Sequence, residues 1–309
     1  MVACGAENRP YRVDTTEGGL VLKTPEGGTM CRYVVGPLPA SEPQTSVKSV
    51  GYLHPVCTPA GRVLTQSQGG DHGWLRGVFV SWMSVTGAGR YTGFWTGSVG
   101  QFAKQTGVVV NRGATTRATA SEASLTASNA WIDGEVEMLR EETQVTAALR
   151  DGVHVIDVAI RLTSVKEPIT LRPWAFAGFT FHGRRAAGES VAVHGPEGEV
   201  KLRDAAWNQP QTNWPDAAWY DLVTVGKDGT ACGLAVIAHP DNGQTTWNIT
   251  RGLRFVNSNV TATAPRVVSE RTPLTLRYRL VAHDGGPPPS LGALRREFAG
   301  PATEPAGGR

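Results

Sequence analysis

The stretch VIDVAIRL, residues 155–162, decides the fold class of this chain. Ile156, Val158, Ile160 and Leu162 alternate with polar or small residues, so the four side chains fall on one face of an extended strand. A strand with one apolar and one polar face is typical of an antiparallel sheet that covers a core on one side. The stretch therefore predicts a half-buried antiparallel strand.

Similar strand patterns recur along the chain. PLTLRYRLVA, residues 273–282, alternates in the same way, whereas CGLAVIA, residues 232–238, is continuously apolar and predicts a central strand covered on both faces. Asp-Gly turn signals separate such runs, and a content of 37 Gly and 20 Pro suits many short strands. We therefore predict an all-β fold, a large antiparallel β-sandwich.

The C-terminal part shows the one clear helical pattern. In PSLGALRREFAG, Ser290 is placed to cap a helix in which Leu291, Leu294 and Phe298 repeat at helical spacing. Residues 300–309 have too few apolar side chains to order themselves, so they are predicted to form a disordered tail. The sequence thus predicts a short terminal helix followed by a mobile end.

Residues 1–299 are predicted to form a single sandwich domain. No Pro/Gly-rich linker divides them, and no repeat of solenoid or propeller period is present. Residues 183–217 are polar and contain tryptophan, and we interpret them as a long excursion over one face of the sandwich. One large sandwich is therefore favoured over two domains.

Charge and targeting signals exclude several partners. The 30 Lys and Arg residues nearly balance the 27 Asp and Glu residues, and no basic run with interleaved aromatics is present. A nucleic-acid partner and an anionic membrane surface are therefore not expected. The chain begins MVACGAENRPYR, which has no apolar segment of a signal peptide, and no apolar run reaches transmembrane length. These features predict a soluble, cytoplasmic protein.

The cysteines do not indicate a metal or a disulfide framework. Cys4, Cys31, Cys57 and Cys232 are far apart and form no CxxC pair. We interpret them as free thiols that mostly fill the core. No cofactor is expected, and the absence of HxH and HxxxH pairs gives no support to a metal site.

Three of the seven histidines occupy similar positions. His54, His72 and His239 each follow an apolar run and lie beside Pro, Asp or Gly, where a strand passes into a loop. Each ring could simply hydrogen-bond to the backbone of its own loop. Alternatively the three line one pocket. The sequence leaves both interpretations open, because their convergence depends on distant strands.

The stretch QGGDHGWLRGVFVSW, residues 68–82, places several reactive groups on one loop. Asp71, His72 and Arg76, joined by His239 from a distant loop, would supply an acid, a base and a cation for a developing oxyanion. No GxSxG elbow and no phosphate-binding loop followed by a helix is present. Acid-base chemistry is therefore favoured over nucleophilic hydrolysis.

Two adjacent carboxylates, Glu141 and Glu142, are a further acid-base candidate. Only one of them can face a given side of a strand. The interpretation of a solvated charge on a sheet edge is favoured for the pair. They are therefore not assigned to the predicted site.

Nine tryptophans are many for 309 residues. Trp131 and Trp174, inside strand-like runs, are predicted to lie in the core. Seven others lie in or beside predicted loops, where rings of this kind stack on sugars and other flat ligands: Trp74, Trp82, Trp95, Trp207, Trp214, Trp219 and Trp247. The predicted substrate-binding residues are His54, Trp74, Trp95, Trp219, Asn242, Trp247 and Arg251.

Several blocks together resemble a known family. They are YLHPVCTPAGRVLT, DHGWLRGVFVSW, GFWTG, FAGFTFHGR, AWYDL, GLAVIAHPDN and LTLRYRLVAHDG. In this order, from Gly51 to the C-terminal helix, they resemble the PmoA-like family. The resemblance implies a β-rich supersandwich similar to sugar mutarotases and some polysaccharide lyases, and an association with carbohydrate catabolism.

One loop departs from the pattern of that family. The family loop typically reads Asp-His-Pro-His-His-Arg/Lys-Gly, whereas this chain reads DHGWLRG over residues 71–77. Trp74 and Leu75 replace two histidines with apolar side chains. We therefore expect the loop to keep its shape but to have a drier, more aromatic lining. The substrate or the chemistry is expected to differ from that of the family.

The sequence leads to one favoured function and two alternatives. The favoured one is a metal-independent acid-base enzyme of isomerase, epimerase or lyase type, acting on a sugar-like or polyol-bearing small molecule. In it His72 and His239 exchange protons, Arg76 holds an oxyanion, and Trp74 and Trp247 stack on the substrate. The alternatives are an aromatic pocket that cyclises or rearranges a biosynthetic intermediate, and a non-catalytic glycan-binding protein. The oligomeric state is left open.

Overall fold

Nearly all of the regular structure consists of antiparallel strands. The computed structural model describes residues 9–42, 48–69, 72–96, 105–201 and 214–300. The strands are β1 (Arg12–Thr16), β2 (Gly19–Lys23), β3 (Thr29–Val34), β4 (Tyr52–Val56), β5 (Ser67–Gly69), β6 (His72–Arg76), β7 (Val78–Trp82), β8 (Val85–Gly87), β9 (Arg90–Thr92), β10 (Val108–Ala118), β11 (Ala123–Asp133), β12 (Val136–Arg150), β13 (Val153–Ser164), β14 (Ile169–Leu171), β15 (Ala177–His182), β16 (Ser190–Gly195), β17 (Gly198–Glu199), β18 (Trp219–Val225), β19 (Ala231–Ala238), β20 (Thr246–Thr250), β21 (Phe255–Asn259), β22 (Arg266–Val268) and β23 (Leu274–Asp284). The helices are the 3-10 turns Pro240–Asn242 and Arg251–Leu253 and the α-helix α1 (Leu291–Ala299).

Two large sheets form the sandwich. The eight-stranded sheet has the order β1-β2-β3-β4-β7-β15-β21-β20, and the nine-stranded sheet has the order β10-β11-β12-β13-β23-β19-β18-β16-β17. Two small sheets, β22-β14-β8-β9 and β5-β6, lie beside them. Within the described residues, neighbouring strands of the nine-stranded sheet all pair antiparallel. The predicted large antiparallel β-sandwich with a short C-terminal helix is confirmed.

The core lies between the inner faces of the two large sheets. The alternation of β13 places Ile156, Val158, Ile160 and Leu162 in this core, as the sequence predicts. Across the core, the ring of Phe179 stacks on that of Tyr278 with centroids 4.0 Å apart. Because β15 and β23 belong to different sheets, this pair joins the two layers directly.

The helix α1 covers the outer face of the nine-stranded sheet. Leu291 and Leu294 pack there against Val281 of β23. Arg279 lies under the helix, 4% exposed, and binds both oxygens of Asp157 at 2.7 and 2.8 Å. The polar side chains on the outer face of β23 are therefore partly buried, because α1 covers them in place of solvent.

Four predictions about the C-terminal half need correction or stay open. Ser290 lies at the N-cap position of α1 but makes no capping hydrogen bond with its side chain. Trp174, predicted to be core, is 43% exposed because it follows the short strand β14 in a loop. Within residues 183–217, β16 and β17 extend the edge of the nine-stranded sheet, so this part pairs rather than crossing a face. Residues 202–213 and the predicted tail 301–309 lie outside the described residues.

Glu141 is buried inside the sandwich, which corrects its interpretation as a solvated edge charge. Its carboxylate accepts hydrogen bonds from Asn129 Nδ2 (2.7 Å), Trp131 Nε1 (2.7 Å) and Thr143 Oγ1 (2.6 Å). Burial raises its pKa, and these three donors lower it. The neighbouring Glu142 is exposed, as strand alternation requires.

The thiols and the helices agree with two further expectations. Cys31, Cys57 and Cys232 are free and buried, and Cys4 lies outside the described residues. Burial raises the pKa of Cys57 to about 11. In the part of the chain that the structure describes, no helix is long and apolar enough to cross a membrane.

Candidate functional site

Two histidines lie on the outer face of the eight-stranded sheet. His54 is on β4 and His182 ends β15, and both strands border β7. Their neighbours Leu53, Phe179 and Phe181 belong to the core on the inner face. Because successive side chains of a strand alternate between faces, the two histidines point to the opposite, outer side.

One short segment holds both rings. Residues 63–67 pair through their backbone with the ends of β4 and β15, and we name them the crossing segment. Within it, Thr65 Oγ1 lies 2.9 Å from Nδ1 of His54, and the carbonyl oxygen of Gln66 lies 3.0 Å from Nδ1 of His182. The Gln66 N–H donates to the carbonyl of His182 at 3.0 Å, which ties the segment to the end of β15. The orientation of both rings is thus fixed by two consecutive residues.

The hydrogen bond to Gln66 determines the tautomer of His182. A carbonyl oxygen only accepts, so Nδ1 carries the proton and Nε2 presents a lone pair. His182 is 0% exposed, and its Nε2 has no hydrogen-bond partner among the described residues. Burial lowers the pKa of His182 to about 4. At neutral pH the site therefore contains a neutral imidazole with a bare basic nitrogen.

His54 has a comparable electrostatic setting but is only partly buried. Burial and the positive charge of Arg32 lower its pKa to about 4, while Glu42 acts in the opposite direction. Arg32 also donates through Nε to the carbonyl of His54 at 2.8 Å. His54 is therefore a second imidazole that is neutral at physiological pH.

His72 completes a group of three histidines. It is half-buried at the start of β6, and its ring centroid lies 5.1 Å from that of Trp74. The charges that lower the pKa of His182, after the effect of burial, belong to Arg185, His72 and His54. Electrostatic interactions therefore link His182 with His54 and His72, and His239 is not among them.

Sequence reasoning missed His182 as a site residue. The stretch FAGFTFHGR contains the needed signal, because Phe179 and Phe181 alternate with Thr180 and His182 at the end of a strand. A histidine on the polar side of such an alternation cannot be a filler of the inner core. Its partner Gln66 is distant in sequence and carries no signal of its own.

Arg76, predicted to stabilise an oxyanion, is 1% exposed. Its guanidinium lies over the ring of Phe79, 4.6 Å from the centroid, and Nη1 is 3.5 Å from the carbonyl oxygens of Trp74 and Trp95. Burial lowers the pKa of Arg76 to about 10. The side chain is enclosed by the aromatic residues of the outer face, a position that does not support its predicted contact with an oxyanion.

Most of the predicted stacking tryptophans are core residues. Trp95, Trp219 and Trp247 are 2, 9 and 0% exposed, and Trp247 donates through Nε1 to the carbonyl of Ala217. The predicted stacking wall Trp247 and the predicted substrate-binding residues Trp95 and Trp219 are thus buried, because strand ends that look like loops in the sequence are covered by other elements. Trp74 alone of the four is half-buried and lies in the histidine group.

His239 belongs to another part of the molecule. It follows β19 of the nine-stranded sheet, its ring packs edge-on against Phe298 of α1, and its Nδ1 accepts the N–H of Asp241 at 3.1 Å. The pairing of His72 with His239 is therefore wrong. His239 instead caps the 3-10 turn Pro240–Asn242.

Asn242 and Arg251 are engaged in structural contacts rather than in the histidine group. Asn242 bonds the backbone of Arg277 with both its amide nitrogen and its oxygen, each at 2.8 Å. Arg251 donates to the carbonyl of Val200 at 2.7 Å and lies over the ring of Trp214. Their predicted role as substrate-binding residues is not supported by these positions.

Two further predictions concern an acid and a metal. Asp71, predicted to be catalytic, lies outside the described residues. Among the residues that are described, no three His, Cys, Asp or Glu side chains are placed to hold a metal ion.

Comparison with known proteins gives a family. The model of a protein family of unknown function, DUF6807, matches residues 23–292. The chain belongs to the DUF6807 family. The resemblance to the PmoA-like family is therefore wrong, because a different family model matches most of the chain. No curated protein matches this DUF6807 chain.

Solved structures align with this DUF6807 protein at low identity. A heparinase III has 11% identity and a TM-score of 0.39, and the alignment covers 89% of this chain and 36% of the heparinase. YeaD of Salmonella typhimurium, described as a possible mutarotase, has 12% identity and a TM-score of 0.40, with 89% and 94% covered. The chain thus spans about a third of the length of the heparinase. At such identities the likeness concerns the fold alone.

Proposed function

We propose that the protein is an acid-base enzyme whose reaction takes place at the histidine group His54, His72 and His182, on a sugar-like or polyol-bearing small molecule. The observation that carries this proposal is His182. Its Nδ1 is committed to Gln66, its Nε2 has no partner among the described residues, and it is neutral at physiological pH. A fixed, unprotonated imidazole nitrogen is suited to accept a proton from a bound molecule.

The proton that is removed from the substrate and the proton that is returned to it need different side chains as carriers. His182 is the base, because its free lone pair is buried and its orientation is fixed. His72 is partly exposed beside Trp74, so it exchanges protons with water and returns one to the substrate. Isomerisation, epimerisation and elimination all need such a pair of proton carriers.

Trp74 supports a substrate with an apolar ring face. It is half-buried beside His72, with ring centroids 5.1 Å apart. Rings placed in this way stack on the hydrophobic face of sugars while polar groups bind the hydroxyls. Trp74 is thus the remaining member of the predicted aromatic lining that fits the site.

A panel of neutral and acidic sugars, incubated in D₂O and followed by proton NMR, tests the proposal. The spectra report anomeric exchange, deuterium uptake at carbon and new olefinic protons. We expect turnover of at least one sugar, and a loss of about 100-fold or more in His182→Asn. The asparagine amide keeps a donor for the Gln66 carbonyl and removes the basic nitrogen.

His154→Asn is the matched control for this substitution. His154 is also buried, 2% exposed, with Nδ1 2.8 Å from a backbone carbonyl, that of Cys57. It lies on β13 of the other sheet. We expect a similar loss of stability and unchanged turnover. Equal turnover in the wild type and His182→Asn would contradict the proposal, and binding of glycans without any turnover would favour a binding protein instead.

A further inference from the structure

We infer that the substrate of the histidine group carries a carboxylate, as in a sugar acid, and that the guanidinium of Arg185 binds it. This inference rests on the proposed function, because it names the class of molecule that the same site takes. It is carried by the surplus of positive side chains around His182 and by the position of Arg185 three residues beyond it.

The described acidic residues near the site already form ion pairs with other arginines. Glu42 binds Nη1 and Nη2 of Arg32 at 2.7 and 2.5 Å. Glu189 binds Arg184 at 2.6 Å, and its other oxygen accepts the N–H of Ala186 at 3.0 Å. Neither carboxylate is therefore available to balance a further cation at the histidine group.

Arg185 lies close to His182 in the chain and has no acidic partner among the described residues. Its backbone N–H donates to Oε1 of Gln66 at 3.1 Å, so the residue that orients His182 also fixes the start of the Arg185 side chain. Arg185 is half-buried, and it forms no ion pair with the described residues. Its charge reaches His182. A guanidinium that interacts electrostatically with His182 and is half-buried is suited to bind an anionic group at the histidine group.

A carboxylate fits the chemistry of the neighbouring base. A carboxylate neutralised by a guanidinium makes the hydrogen on its α-carbon more acidic, because the electron pair of the broken C–H bond moves into the carboxylate. That proton goes to Nε2 of His182. The electron pair then either takes a proton from His72, which inverts the carbon, or expels the oxygen on the β-carbon, which takes that proton. A phosphate ester offers no such acidified carbon, so a carboxylate is favoured.

The test measures binding rather than turnover. D-Glucuronate and D-galacturonate are titrated into the wild-type protein by calorimetry, with D-glucose as the neutral match and inorganic phosphate and sulfate as other anions. We expect at least one uronate to bind at least tenfold more tightly than glucose. Arg185→Gln should weaken that binding at least tenfold.

Arg184→Gln is the matched control, since Arg184 is the adjacent, exposed arginine paired with Glu189. It should change uronate binding less than twofold. Equal binding of glucose, no uronate binding, equal effects of the two arginine variants, or equal affinity for phosphate or sulfate would each overturn the inference. His182→Asn should keep uronate binding. If it also keeps full turnover while Arg185→Gln loses binding, the carboxylate inference is supported and the proposed function is contradicted.

Discussion

His54 and His182 belong to different strands, yet each hydrogen-bonds through Nδ1 to a residue of one dipeptide, Thr65-Gln66. Only β7 separates their strands, so the two backbones lie roughly 10 Å apart. The common attachment leaves the Nε2 atom of each ring on the side away from the crossing segment. The orientations of both imidazoles therefore depend on the position of the same dipeptide.

Stability should fall at mildly acidic pH because these histidines are neutral in the folded protein. The pKa of His54 and of His182 is about 4, below the ordinary value of 6.5, so the unfolded chain binds more protons between these limits. Their contribution is fully present above 6.5 and is lost as the pH falls toward 4. For His182 the loss is about 1.4 kcal/mol per pH unit in the middle of this range.

Urea unfolding at neutral pH and at about pH 5 measures the effect. The wild type should lose more free energy of unfolding than His182→Asn over the same interval, by roughly 1 to 2 kcal/mol. An identical pH dependence in the two proteins would show that the pKa of His182 is the same in the folded and the unfolded chain. Burial would then not hold this ring neutral.

Glu141→Gln should destabilise the protein by about 1 to 3 kcal/mol, because a buried amide would place its N–H₂ group against a donor. All three partners of Glu141, which are Asn129, Trp131 and Thr143, donate to its oxygens. A carboxylate satisfies three donors, whereas an amide oxygen leaves at least one of them without an acceptor.

Glu142→Gln is the control on the same strand. Glu142 is exposed and binds Gln144 at 3.2 Å, so its substitution should change the free energy of unfolding by less than about 0.5 kcal/mol. Thermal or urea unfolding of both variants decides the matter. Equal stabilities would mean that Glu141 is not ionised or not held as described.

The sequence correctly predicted which face of a strand is buried wherever the pattern within that single strand decides it. The alternation of residues 155–162 correctly assigned an inner face to β13 because each side chain's direction depends only on its position along the strand. The tryptophans were misjudged for the opposite reason. Trp247 looks like a loop residue beside Asn248, but it is buried because β21 and residues 214–217 cover it.

The site itself depended on strand order, which no local pattern contains. His54 and His182 are 128 positions apart in the chain. They lie on the same face of one sheet because β4 and β15 both neighbour β7. His239 follows an equally suggestive apolar run, but that run belongs to the other sheet. The sequence therefore identified three histidines at strand ends. It could not show which of them lie on the same face of a sheet.

His239 should prove structural rather than catalytic. Its Nδ1 accepts the N–H of Asp241, so His239→Ala removes a cap and should cost about 1 kcal/mol of stability. His239→Asn should restore part of this loss, since asparagine is a good capping residue. Both variants should keep turnover within about twofold in the NMR assay. A loss comparable to that of His182→Asn would return His239 to the reaction.

Gly233 should be intolerant of even a methyl group, because it lies between two buried partners. Nε2 of His283 is 3.1 Å from each oxygen of Asp221, and both side chains are 0% exposed. A Cβ on Gly233 would stand 2.6 Å from that Nε2 and 3.0 Å from Oδ1 of Asp221. We expect Gly233→Ala to cost about 1 to 3 kcal/mol, the range of overpacked cores.

A control glycine and a double variant separate this contact from a general effect of alanine. A Cβ on Gly252 would meet no described atom within 4 Å, so Gly252→Ala should change stability by less than about 0.5 kcal/mol. In a His283→Ala background the ring is absent, and Gly233→Ala should then cost clearly less than in the wild type. Urea unfolding of the four proteins measures the coupling. An equal cost of Gly233→Ala in both backgrounds would show that the Asp221–His283 pair does not constrain β19.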